Sequence, residues 1–287
     1  MSQKPVALTI AGSDSGGGAG IQADIKSMEA NGVFATSALA AVTAQNTETV
    51  AEAYDLPPSL VAAQIDAVVE DMNVRAAKTG MLSNPEIIQT VADRVREHEL
   101  QPFVVDPVMI SKSGFKLLQD EAIETLVDEL LPLATVITPN IHEAVHLTEL
   151  DEIETVDDLR SAAEALYEHG PEAVLAKGGH LSAEEEAIDV LVDSSGARTF
   201  SAPRIDTPHT HGTGCTYASA IAANLAKGYD LPAAVDRAKR YVTGAIRHAL
   251  PLGHGHGPTN HFFHLDAESA LAAEVEGATV PSEPRKQ

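Results

Sequence analysis

The sequence predicts an α/β protein: a central, mostly parallel sheet covered by helices on both faces. Three observations carry that prediction. Short β-rich runs alternate with helical segments along most of the 287 residues, which is the pattern of βαβ units. Polar residues able to do chemistry fall just after those runs, at the carboxyl ends of the strands, where open α/β sheets gather their ligands. No linker, repeat or low-complexity tract interrupts the pattern, so one domain is expected over 1–275, with a loose tail over 276–287.

Taken in order, strands are expected at 6–11, 33–42, 74–79, 102–106, 134–138, 173–177, 187–193 and 197–202. The first is the apolar run Val6–Ile10, which enters a glycine-rich bend and then a helix. Helices are expected at Pro57–Met72, Pro85–His98 and Asp157–His169. The runs EAIDVLVD and ARTFSA, joined at Ser194-Ser195-Gly196, read as an antiparallel hairpin. From Gly214 the chain turns helical, with a second long helix near Leu231–Leu250. Asp14, Ser15 and Ser83 precede helical segments and read as caps.

Composition excludes several classes. Forty-two acidic against nineteen basic residues give a net charge of −23, so a nucleic-acid partner, which needs Lys/Arg stripes, is not expected. The acids are dispersed, as over Asp120–Glu129 and Glu149–Asp158. Such a surface reads as adapted to high salt, where screening removes self-repulsion, or else as that of an ordinary acidic protein. No run of about 18 apolar residues suggests a membrane span, and no secretory signal opens the chain, so a cytoplasmic location is expected. Cys215 is the one cysteine, which rules out an internal disulfide. The chain has neither a Gly-Lys pair for a Walker A motif nor a G-x-G-x-x-G fingerprint in residues 12–21.

The most informative stretch is HTHGTGCTYASAIAANLAKG, His209 to Gly228. Gly212, Thr213 and Gly214 feed a helix whose first N–H groups lack partners and whose dipole is positive at that end. That makes an anion hole suited to a phosphate in transfer. At its rim, Cys215 is expected to have a lowered pKa and to accept a proton from a hydroxyl; the alternative is an inert packed cysteine. The Gln45 carboxamide sets a hydrogen-bond donor beside an acceptor, which makes it a candidate reader of a substrate. Lys177 offers a point charge for phosphates. His209, His211, His254, His256, His261 and His264 invite a zinc reading, but structural sites recruit thiolates and catalytic ones need three converging ligands, so no metal is assigned to them.

AGSDSGGGAGIQADIK at 11–26, TAQNT at 43–47, KTGM at 78–81, VVDPVM at 104–109, TPNIHEA at 138–144, AKGGH at 176–180 and HGTGC at 211–215 resemble, in order, the hydroxymethylpyrimidine/phosphomethylpyrimidine kinases of the ribokinase-like superfamily. GHGHGPTNHFFHL at 253–265 resembles that family's C-terminal end, and the likeness spans roughly residues 5–265. The resemblance implies a three-layer ribokinase-like fold, ATP and Mg2+ as cofactors, and a small aminopyrimidine alcohol and its phosphate as substrates. It implies that Gln45, Gly12, Asp24 and Met81 bind the pyrimidine, that Asn140, Lys177 and Thr213 bind ATP, and that Asp106 and Glu143 serve Mg2+ largely through water. Gly212, Gly214 and Cys215 would be catalytic, Cys215 standing where sugar kinases of the superfamily carry an aspartate base. A homodimer is expected, and no fused thiamine-phosphate synthase or regulatory domain. A pyridoxal or pyridoxine kinase is the neighbouring reading, and a non-enzymatic pyrimidine sensor a third; Gln45 favours the first over the second, and the intact phosphoryl-transfer set argues against the third.

Overall fold

Nine strands join in one sheet in the computed structural model, which describes residues 4–109, 117–148, 150–179, 181 and 184–265. They are β1 (Val6–Asp14), β2 (Phe34–Gln45), β3 (Val50–Asp55), β4 (Val74–Thr79), β5 (Phe103–Val105), β6 (Val136–Ile137), β7 (Ala173–Gly178), β8 (Glu186–Asp193) and β9 (Gly196–Pro203), in spatial order β3-β2-β1-β4-β5-β6-β7-β8-β9. The pairs from β2 through β1, β4, β5 and β6 to β7 are parallel, while β3–β2, β7–β8 and β8–β9 are antiparallel. The sheet is therefore mixed, which corrects the expectation of a mostly parallel one. The cause is local: β3 follows β2 after a four-residue turn, and β8–β9 form the expected hairpin at Ser194-Ser195, connections too short for a parallel crossover. The expected tail over 276–287 lies outside the described residues.

Eight α-helices cover the sheet among those residues: α1 (Gly20–Ala30), α2 (Pro58–Asp71), α3 (Pro85–Glu97), α4 (Asp120–Thr125), α5 (Ile141–Leu147), α6 (Val156–Tyr167), α7 (Thr213–Ala226) and α8 (Leu231–Arg247). Strand residues alternate between the two faces, as the pleat requires. Leu8, Ile10, Phe103 and Val105 pack with Ile65 of α2, Ile88 of α3 and Leu159 of α6. Ala7, Ala76, Val104 and Leu175 face the other way, onto Met28 of α1, Ile221 and Ala222 of α7 and Val235 of α8. Every residue of α7 from Thr216 to Ala226 is buried. A helix enclosed on all sides needs side chains that let its neighbours approach, and Ala218, Ala220, Ala222 and Ala223 allow α1 and α8 to pack on it.

The loops differ from the capping expectations. Asn84 caps α3 by accepting from the Ile87 amide (3.0 Å), while Ser83 lends its carbonyl to the Gln119 amide (3.1 Å). Asp14 and Ser15 cap no helix. α1 begins after Ala19, and Asp14 instead closes the glycine loop before it. The Ser15 hydroxyl donates to the Gln45 carbonyl (2.7 Å) and accepts from the Gln45 amide (2.8 Å). Continued pairing with β2 carries β1 past the expected end, out to Asp14.

Candidate active site

The site lies at the carboxyl ends of β1, β2, β4, β5 and β7, above which α1 and α7 begin. Asp106 follows β5 and is almost fully buried. Its Oδ1 accepts from Lys177 Nζ (2.9 Å) and from the Thr138 hydroxyl (3.0 Å). Burial opposes its charge, but Lys177 and then Lys78 prevail, holding the carboxyl below the usual range. For Lys177, likewise, burial is outweighed by Asp106 and Glu143, and the ammonium is held above the ordinary lysine value.

Glu143 and Asn140 form a reciprocal capping box at the start of α5: the Asn140 amide donates to Glu143 Oε2 (2.8 Å), and the Glu143 amide donates to Asn140 Oδ1 (3.0 Å). The N-x-x-E spacing therefore has a structural use as well as the expected one. Burial pushes the Glu143 carboxyl up to about 7; Lys177 pulls it down and Asp106 pushes it further up. Asn140 also bridges to Lys177, whose amide donates to the Pro139 carbonyl (2.8 Å).

Gly212 caps α7 in the left-handed conformation, φ 76°. A side chain there would collide with the Gly18 carbonyl, so glycine is required twice over. The first i→i−4 bond of α7 runs from the Thr216 amide to the Gly212 carbonyl (2.9 Å), leaving the amides of Gly214 and Cys215 ahead of it at the open end of the helix. A methyl group placed on Gly214 would lie 3.5 Å from Lys177 Nζ and 3.6 Å from Asp106 Oδ2. The helix start, the cation and the carboxylate thus face one point. Thr213, expected to bind ATP, turns both its hydroxyl (2.8 Å) and its amide (3.3 Å) back to the Thr210 carbonyl.

Cys215 corrects an expectation. Its thiol is pushed up to about 12, chiefly by burial, with Asp24 and Asp106 adding to the effect. Lys78 and the Gly20 amide pull in the opposite direction without reversing it. The helix start alone predicted the reverse. Desolvation and two nearby carboxylates outweigh the dipole.

At the neighbouring strand ends, Gly12 and Met81 are in contact, any added methyl on Gly12 meeting the Met81 side chain. Gln45 is half-buried at the end of β2, its Oε1 accepting from the Thr43 hydroxyl (3.1 Å). Asp24, expected among the pyrimidine ligands, is instead fully buried beneath the site. Both its oxygens lie 2.9 Å from Lys78 Nζ, and the hydroxyls of Thr9 (2.6 Å) and Ser219 (2.7 Å) donate to it. With those bonds made, its carboxylate holds the floor of the site rather than a ligand. Lys78 was passed over by sequence reasoning except as part of KTGM. A lysine inside an otherwise buried strand was the available signal, since lysine is almost never fully buried unpaired.

The donors present fit a divalent cation. Asp106 Oδ2 is buried with no hydrogen-bond partner among the described residues, a lone hard oxygen aimed at the helix start. Among those six histidines, His211 bonds Asp14, His261 bonds Thr216, and His256 bonds the Pro208 carbonyl.

A carboxylate–lysine pair facing a glycine-started helix, at the strand ends of a three-layer α/β fold, defines the class: a small-molecule phosphotransferase. The sequence profile of the phosphomethylpyrimidine kinases matches residues 14–260, and the chain belongs to that family. It is 52% identical over 257 residues to a hydroxymethylpyrimidine/phosphomethylpyrimidine kinase of Streptomyces coelicolor, covering 90% of this chain and 94% of that one. It is 50% identical to one from Haemophilus influenzae, covering 91% and 98%. Among solved structures, an ADP complex of Bacillus subtilis pyridoxal kinase is similar at a TM-score of 0.85 and 40% identity, covering 90% and 98%. Phosphomethylpyrimidine kinase from Clostridium difficile is similar at 0.75 and 46%, covering 85% and 100%.

Proposed function

We infer that the protein is an ATP-dependent kinase of 4-amino-5-hydroxymethyl-2-methylpyrimidine, and then of the resulting monophosphate, in thiamine biosynthesis. The observation that carries this reading is the convergence of Asp106, Lys177 and the amides of Gly214 and Cys215 on one point, with Gln45, Gly12 and Met81 on the neighbouring strand ends. Phosphoryl transfer asks for little more than positioning and charge neutralisation. Lys177 and the α7 amides receive the negative charge of the transferring group. Asp106 and Glu143 would hold Mg2+, which when bound supplies charge neutralisation at the phosphates. The half-buried Gln45 carboxamide presents the donor and acceptor that an aminopyrimidine edge needs. Because transfer is largely dissociative, the hydroxyl proton leaves late. With the Cys215 thiol protonated, that proton passes to the phosphoryl oxygen or to water.

The pyridoxal kinases among the structural relatives make a ring-alcohol crossover the second reading. A coupled assay of ADP release with hydroxymethylpyrimidine against pyridoxine decides between them. A kcat/KM at least tenfold higher for the pyrimidine is expected, and a preference for pyridoxine would reverse the assignment. The dispersed charge supports a salt-adapted protein, and Asn140 is assigned to ATP.

A further inference from the structure

We propose that His211 is a positioning residue for phosphoryl transfer, acting through Asp14 to hold the glycine loop on the alcohol side against the turn that receives the phosphate. The inference rests on the kinase reading above.

Asp14 is 3% exposed and spends both oxygens inside the protein. Oδ1 accepts from the Gly16 amide (2.7 Å), and Oδ2 accepts from the amides of Gly18 (3.0 Å) and Ala19 (2.8 Å) and from His211 Nε2 (3.0 Å). Three of these bonds curl the glycine loop around the carboxylate. The fourth joins it to a residue 197 positions away. That residue is itself fixed: the His211 amide donates to the Gly257 carbonyl (3.1 Å), and the Thr259 amide donates to the His211 carbonyl (3.3 Å).

Each end of the bond leads straight to one half of the reaction. Next to Asp14, Ser15 exchanges two hydrogen bonds with the backbone of Gln45, and Gly12, two residues earlier, touches Met81. Next to His211 stands Gly212, the start of the turn in which Gly214 lies against Lys177 and Asp106. A change in the His211–Asp14 distance therefore changes the separation of the acceptor alcohol from the phosphate turn. In-line transfer tolerates little such drift: a misplacement of about 1 Å costs on the order of 100-fold.

The test compares His211→Leu with His211→Gln, whose carboxamide N–H reaches about as far as the ring Nε2–H. Measured are kcat, KM for pyrimidine and for ATP, and the thermal midpoint. The Leu variant is expected to lose at least tenfold in kcat with ATP KM within about twofold, and the Gln variant to recover most of that loss. A residue that merely packs would show no such recovery. In a double variant with Asp14→Ala, which removes the carboxylate that His211 donates to, adding His211→Leu should cost little beyond Asp14→Ala alone. Wild-type kcat in His211→Leu, or Gln as slow as Leu, overturns the proposal. Should His211→Leu not fold, His211→Gln is compared with His211→Asn, whose shorter carboxamide does not reach Asp14. Gln at least tenfold faster than Asn is expected, and equal rates overturn it. Absence of kinase activity in the wild type would strike the kinase reading instead, so the two failures are distinguishable.

Discussion

Replacing Cys215 by alanine tests the finding on which structure and sequence differ most. A rise in the thiol pKa from 9.0 to about 12 disfavours the thiolate by about 4 kcal/mol, at 1.36 kcal/mol per unit. At pH 7 the thiolate is then on the order of 10⁻⁵ of the population. General-base help is typically worth about 10²- to 10⁴-fold, so a base present at that level forfeits its whole contribution. The backbone amide of residue 215, by contrast, survives the substitution. We therefore expect Cys215→Ala to keep kcat within about tenfold of wild type, and the pH profiles of kcat in the two proteins to run parallel from pH 7 to 9, since Glu143 titrates alike in both. Single-turnover quench kinetics with saturating pyrimidine and ATP isolate the chemical step from product release. A wild-type rate that climbs with pH, together with a variant at least 100-fold slower and no longer climbing, would refute the reasoning. The same shift has a stability consequence. A thiol whose folded pKa lies above its unfolded value stabilises the fold below about pH 9 and loses that contribution as pH rises toward about 12. The alanine variant should lack that part of the alkaline decline.

Three further outcomes are expected. Gln45→Ala should raise KM for the pyrimidine roughly 5- to 150-fold, the cost of an unpaired polar edge of about 1–3 kcal/mol, while KM for ATP stays within twofold; an unchanged pyrimidine KM removes Gln45 from the site. Lys78→Met strands the buried Asp24 carboxylate, so a loss of about 3–5 kcal/mol and a fall in Tm on the order of 10 °C are expected, most of it restored when Asp24→Asn is added; calorimetry showing no fall contradicts the buried pair. Thermal melts from 0.1 to 3 M KCl should rise as salt screens the net charge of −23, and a flat series would dismiss the salt-adapted reading.

The sequence carried the α/β layering and the strand ends that bear Asp106, Asn140 and Lys177 because those signals are local: an apolar run, then a polar residue. β3 left no such mark. Four of its six residues are exposed, so Val50–Asp55 shows no buried alternation, and pairing with β2 alone makes it a strand. The fate of Asp24 depends on Lys78, 54 residues away, and that of Asp14 on His211, 197 residues away. Periodicity cannot report such pairs. Cys215 shows the same limit from the opposite side. Its place at a helix start was legible in GTGC, but the burial and carboxylates that set its proton affinity come from α1 and the residue after β5, and they reversed the sign.

The central claim is that one cleft phosphorylates the pyrimidine alcohol and then its phosphate. The most direct measurement follows the products of wild-type protein with hydroxymethylpyrimidine and MgATP by phosphorus NMR over time. The account predicts a monophosphate resonance that rises first and then gives way to the paired resonances of a diphosphate, with two ADP formed per pyrimidine consumed. A monophosphate that accumulates without conversion, or ATP left intact with the pyrimidine while a parallel reaction with pyridoxine consumes it readily, would contradict it.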